Sequence, residues 1–188
     1  MNRRHTLVTT LVVLAVTVAL DQITKIWAES ALEDGDVIEI VPTLEFDLAY
    51  NSGFSFSTGS GFGQYIGVLV FGLIGFLVWQ IAVSETMPRV WILATIMGGA
   101  IGNLVDRLFR ADDGFLSGEV IDFIDVTWYA VFNIADMFVV GGAVAFAAYE
   151  LRMHKLAERA ATAEAESAND HDPGSGTVLT NVSEDNTP

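Results

Sequence analysis

Apolar residues gather along this chain into four blocks, from about Leu7 to Ala28, Tyr65 to Val83, Val90 to Val105 and Asn133 to Met153. A hydrocarbon layer about 30 Å thick requires roughly twenty residues of helix rising about 1.5 Å each. The blocks have that length, although the third is short unless its polar end, Asn103, Asp106 and Arg107, is counted. The pattern predicts a mainly α membrane protein with four transmembrane helices. Arg3 and Arg4 ahead of the first block resemble the start of a secretory leader. No small-x-small cleavage site with a soluble domain follows, and helical spacing continues through Asp21, Gln22 and Lys25 into Trp27. A retained first span is therefore expected in preference to a cleaved leader.

Between the first two blocks, residues 31–64 carry two short runs with β-branching and alternation, Val37 to Val41 and Leu44 to Leu48, separated by Pro42. They predict a small β platform at the membrane surface. The stretch from Asn51 to Gly63, rich in Gly and Ser, reads as turns presenting Phe54, Phe56 and Phe62. Residues 110–132 read as an outer loop or short-helix segment, punctuated by Gly114 and Gly118, with Trp128 and Tyr129 suited to an interfacial belt. The core is placed at residues 1–156. Residues 157–188 form an acidic tail that begins as an Ala/Glu-rich helical extension and then loses periodicity, as a disordered segment does.

Basic residues set the expected topology. Arg3 and Arg4, Arg89 in the middle link, and Arg152, Lys155 and Arg159 after the last block put both termini in the cytoplasm. Arg107 and Arg110 lie on the opposite side and need a local reason, for which Asp106, Asp112 and Asp113 are at hand.

Composition narrows the chemistry. The formal net charge of -15 excludes the basic footprint of a nucleic-acid binder. With no cysteine, disulfides and thiolate sites are excluded. Three histidines, His5, His154 and His171, fall on the wrong side or in the tail for a Ser-His-Asp or zinc site at the outer end. No metal or cofactor is expected, and carboxylate chemistry is what remains.

Several polar groups stand where charge is costly. Asp21 and Lys25 are four apart on one helix face and can pair, as an anchor for depth and rotation in preference to a substrate contact. In the third block Gly98 and Gly102 allow close helix approach, and Gly99 and Asn103 extend the face toward Asp106. Asp106 beside Arg107 reads as an ion pair in preference to a catalyst. Asn133 and Asp136 share a face at the start of the fourth block, and Asp122 stands fourteen residues before Asp136 between apolar neighbours. Two such acids meeting across a water share one proton: the ionised member activates water against a peptide carbonyl, and the protonated one hydrogen-bonds the carbonyl oxygen. Local reasoning alone leaves Asp106 as a possible member of that pair.

Five pieces, in order, resemble the bacterial lipoprotein signal peptidases, the type II signal peptidase family. They are Asp21-Gln22-x-x-Lys25, Asn51-Ser52-Gly53-Phe54-Ser55-Phe56, Gly98-Gly99-Ala100-Ile101-Gly102-Asn103-Leu104-Val105-Asp106-Arg107, Val120-Ile121-Asp122-Phe123 and Phe132-Asn133-Ile134-Ala135-Asp136. The resemblance implies four transmembrane helices, an extracytoplasmic β cradle and an aspartate pair, which it assigns to Asp122 and Asp136. It gives Asn51, Gly53, Asn103, Asp106, Arg107 and Asn133, with Asp21 and Lys25, supporting or positioning roles. The implied enzyme is an intramembrane aspartyl endopeptidase of the cell membrane. Its implied partners are diacylglyceryl-modified prolipoproteins and membrane lipids, with cleavage before the lipidated cysteine. The apolar signal helix is expected in a seam where Gly98 and Gly102 allow close approach. Two other classes stay in view: a transporter, whose acids would be spread through the membrane depth, and an assembly protein, whose acids would be dispensable.

Overall fold

The computed structural model describes residues 2–52, 63–111 and 114–170. Four helices and three strands follow in the order α1 (Arg3–Leu32), β1 (Ile38–Val41), β2 (Leu44–Asn51), α2 (Gly63–Ala82), α3 (Met87–Phe109), β3 (Val120–Val126) and α4 (Ile134–Asp170). Three of the helices, α1, α3 and the Ile134–Glu166 stretch of α4, are long and apolar enough to cross a membrane. The described apolar run of α2, Gly67–Ala82, is shorter, so its crossing is not on the same footing as the other three.

Helix α1 is apolar outside and polar inside. Leu7, Leu11, Val16, Leu20 and Ile23 are exposed, whereas Thr10, Thr17, Asp21, Lys25, Ala28 and Leu32 are buried. Water would reverse that arrangement, and lipid permits it because tails solvate leucine as well as a protein core does. The helix starts at Asn2, whose side chain accepts from the Arg4 amide at 3.0 Å. It ends before Gly35, whose φ of +80° suits a residue without a Cβ.

Glycines bring α3 against two partners at once. A Cβ on Gly98 or Gly102 would strike Thr17 or Asp21 of α1, and one on Gly99 would meet the Ala135 carbonyl 2.5 Å away on α4. The single close-packed face expected from the sequence is thus two faces. Because α1 already occupies Gly98 and Gly102, the expected docking of a signal helix there is corrected: those glycines pack the protein against itself. A further apolar cluster joins Leu77 and Ile81 of α2 to Val90, Leu93 and Met97 of α3.

Both strands expected in residues 31–64 form, and they pair antiparallel across Pro42-Thr43. The segment 110–132, expected as a loop or short helix, instead holds β3, which pairs antiparallel with β2 to give an open sheet of order β1-β2-β3. Its β-branched run is buried from Val120 to Ile124, which suits a strand covered on both faces. Ala28 and Leu32 of α1 pack on Ile121, Phe123 and Ile124, and the Trp27 ring meets Phe46 edge-on at 5.4 Å. The sheet therefore sits against the end of α1.

The chain divides into two units, Met1–Ala148 and Tyr149–Pro188. In the second, helix continues through the Ala/Glu-rich segment to Asp170. The remainder of the tail, residues 171–188, lies outside the described residues, as do Gly53, Phe54, Phe56, Phe62, Asp112 and Asp113.

Candidate active site

Lys25 is wholly buried and uses all three of its N–H donors. Its Nζ lies 2.9 Å from Asp21 Oδ2, 2.7 Å from Asp106 Oδ2 and 2.9 Å from Asn103 Oδ1. The expected pairing of Asp21 with Lys25 is present, and Asp106 joins it from α3. Asp106 also lies 3.4 Å from Arg110 Nε, and Arg110 donates to Glu29 Oε2 at 3.0 Å. Glu29 continues the four-residue step from Asp21 and Lys25, and Arg110 is four after Asp106. That repeated step was the signal for Glu29, 81 residues from Arg110, as a partner beyond the adjacent acids. Gln22, named in the motif without a role, donates to Asp21 Oδ2 at 3.1 Å and to Asp106 Oδ1 at 3.2 Å.

The start of α4 is held by this cluster. Asn133 caps it: the Asp136 amide donates to Asn133 Oδ1 at 3.0 Å, and the Asn133 amide reaches Asp136 Oδ2 at 3.4 Å. This reciprocal pairing is a capping box. A third otherwise unpaired amide, that of Ala135, donates to Asp21 Oδ1 at 3.0 Å, so a carboxylate also faces the positive end of the helix dipole.

Strand β3 delivers Asp122 to the same place. Its Ile121 amide donates to Asp106 Oδ2 at 3.3 Å, and the Gly118 amide donates to the Arg107 carbonyl at 3.2 Å. Only glycine fits at 118, where a Cβ would lie 2.5 Å from the Asp106 carbonyl. The register shift of β2 between Phe46 and Ala49 falls beside Asp122; such irregularities re-aim side chains near sites. After β3 the chain returns at Phe132, whose carbonyl accepts from Phe123 and Ile124. Asn133 is thereby placed against Asp122.

Asn133 touches both acids. Its Nδ2 lies 2.7 Å from Asp122 Oδ1 and 3.0 Å from Asn103 Oδ1, while its Oδ1 and backbone engage Asp136. Asn103 must present oxygen to Lys25, which can only donate, and so turns its Nδ2 to Asp136 Oδ1 at 2.8 Å. Asn51, at the end of β2, donates to Asp122 Oδ2 at 2.9 Å. Burial pushes the Asp122 carboxyl up to about 6; the charge of Asp136 adds to the rise, while the hydrogen bonds from Asn51 and Asn133 oppose it. Buried Arg107 acts electrostatically on Asp122, Asp106 and Asp136 together.

Two cavities open beside the acids. One of about 470 Å³ is polar, lined by Asn51, Ser52, Asp122, Asp125, Thr127 and Tyr129 among others. The other, of about 500 Å³, is mostly apolar, with Trp128, Tyr129, Phe132, Met137 and Val140 around Asp136. Of these lining groups, Asp125 and Thr127 carried no site signal in the sequence, and Tyr129 was marked only for the interfacial belt.

Membrane-length helices whose buried carboxylates converge at one end, beneath a small sheet and beside open cavities, have the design of a membrane-embedded aspartyl hydrolase. The chain belongs to the signal peptidase II family: the family described as Signal peptidase (SPase) II matches residues 13–152. A lipoprotein signal peptidase of Mycobacterium avium (strain 104) is 40% identical over 136 residues, covering 70% of this chain and 72% of that one. The protein of the same description from Mycolicibacterium smegmatis is 39% identical over 145 residues, 75% of this chain and 60% of the relative. A bacterial membrane enzyme solved by the in meso method at 2.3 Å resolution superposes with a TM-score of 0.67 at 25% identity, covering 77% of this chain and 88% of that one.

Proposed function

We propose that this chain is the endopeptidase that removes signal peptides from diacylglyceryl-modified prolipoproteins, cutting before the lipidated cysteine, with Asp122 and Asp136 as its catalytic pair. Family membership supports the reaction. The observation that carries the pair is Asn133, a single side chain that bonds Asp122 directly and forms a capping box with Asp136. It ties the two acids to one spot from different elements. Each acid also borders a cavity, Asp122 the polar one and Asp136 the apolar one.

Like charges at close range in a poorly solvated site favour one shared proton. The ionised carboxylate takes a proton from water as its oxygen attacks the scissile carbonyl, and the protonated partner hydrogen-bonds the developing oxyanion. Collapse of the tetrahedral species, with a proton passed to the nitrogen, releases the cysteine amine. Asp21, Lys25, Asn103, Asp106, Arg107 and Asn133 brace the acids, Asn51 holds Asp122 from the sheet, and Gly53 belongs to the same motif. The basic residues at the chain ends and Arg89 support four crossings, α2 included, with both termini cytoplasmic. The sheet would then be an extracytoplasmic cradle with the acids at that membrane face.

A transporter would spread its acids through the membrane depth, whereas Asp21, Asp106, Asp122 and Asp136 are linked to one another through Lys25, Asn103 and Asn133. The test is cleavage of a diacylglyceryl prolipoprotein by the purified protein in detergent. Asp122→Asn and Asp136→Asn are each expected to lose at least about a hundredfold in rate, the lower end of general acid–base contributions. Full activity in either folded variant rejects the pair.

A further inference from the structure

The apolar cavity at Asp136 does not end there. A second, of about 350 Å³, shares Met137 and Gly141 with it and continues along α4 to Ala145, walled on the α3 side by Trp91, Ile92 and Thr95. From Met137 to Ala145 the helix rises about 12 Å. The furrow is dry in character, for the Thr95 hydroxyl is turned back onto the Trp91 carbonyl at 3.0 Å and makes no demand on an occupant. It is also narrow. Gly142 lets α4 press on Ile96, where a Cβ would come within 2.5 Å, and Gly99 does the same at Ala135. A pair of helices drawn so close leaves a groove between side chains, not a slot for another helix about 10 Å across. Yet at Gly141, one residue from the tight contact, a Cβ would meet nothing within 4 Å.

Tyr129 lines both cavities at the acids, the polar cleft at Asp122 and the apolar cavity at Asp136. Resting on the peptidase reading above, we infer that the Met137–Gly141–Ala145 furrow holds an acyl chain of the diacylglyceryl cysteine, and that Tyr129 is the specificity-determining wall separating it from the polypeptide. The chemistry of the substrate matches the division. Its acyl chains leave the cysteine side chain next to the scissile bond and demand only apolar contact, whereas its backbone carries amides that require polar partners. Soft, unbranched Met137 and the open face at Gly141 suit a chain of many conformers.

The test uses prolipoproteins of one sequence carrying short, medium or long acyl chains. For the unaltered protein KM is expected to fall as the chain lengthens. Gly141→Leu, whose Cβ meets nothing within 4 Å, puts bulk into the furrow and is expected to raise KM about tenfold for the longest chain, little for the shortest, with kcat within about twofold. Gly75→Leu adds the same bulk at an α2 glycine whose Cβ also meets nothing, and is expected to change neither constant. Tyr129→Ala is expected to blunt the chain-length dependence and Tyr129→Phe to restore it. An equal KM rise at every chain length assigns the furrow to the signal helix and overturns the inference, as does an unchanged KM in Gly141→Leu. A readout independent of turnover separates this from failure of the peptidase reading. A diacylglyceryl peptide with a photoreactive acyl chain, bound to the Asp122→Asn protein, is expected to label Met137 to Ala145. Labelling only elsewhere rejects the furrow whether or not the protein cleaves.

Discussion

Asp122→Asn is expected to inactivate the protein and, at neutral pH, to stabilise it. Asp122 is 3% exposed, and its carboxyl is raised from 3.8 to about 6. The folded state therefore binds this proton more tightly than the unfolded chain does. Stability contributed by the neutral acid is present in full below about pH 4 and is lost as pH rises through about 6. A gap of about two pH units corresponds to about 3 kcal/mol of cost for keeping the charge folded at pH 8. An amide removes the charge and keeps one acceptor oxygen, but its NH2 faces the donor of either Asn51 or Asn133, a loss of about 1 kcal/mol. The net gain is about 2 kcal/mol at pH 8, roughly 5 °C in melting temperature for a chain of this size. It vanishes or changes sign near pH 4, where the unaltered acid is neutral too. Thermal unfolding of both proteins in one detergent, from pH 4 to 8, measures the difference, in which titrating groups outside the Asp122–Asp136 pair largely cancel. A difference that stays flat across that range, or that favours Asp122 as pH rises, refutes the reasoning.

Lys25→Met leaves Asp21 and Asp106 buried without the ammonium between them, and is expected to cost about 3–5 kcal/mol in denaturant unfolding; adding Asp106→Asn should recover part of that loss. Gly102→Ala places a Cβ 2.5 Å from Asp21 Oδ2, and should lower stability by about 1–3 kcal/mol and displace α4, read as slower cleavage. Removing residues 160–188 is expected to leave kcat/KM of the core reaction within about twofold, and turnover lost from a folded core would give the tail a role.

Membrane character, the positions of the four apolar blocks and the first two strands were legible in the sequence, because hydrocarbon and the pleat impose periods that a linear reading detects. The polar residues of the site were legible as outliers, since Asp21, Lys25, Asp106 and Asp136 stand where an unpaired charge is costly. Their partners were not. Asp106 is adjacent to Arg107 in the chain, yet its 2.7 Å contact is to Lys25 of another helix, and Arg110 reaches Glu29, 81 residues away. Val120 to Val126 could be loop, helix or strand until β2 offered it an edge to pair with. Gly98, Gly99 and Gly102 marked close packing, but which helix each admits depends on rotation about the α3 axis. Periodicity is a property of one segment and is written in it; contact between segments is a sum of weak terms over the whole chain, and only the folded arrangement selects among the pairings that each residue could make.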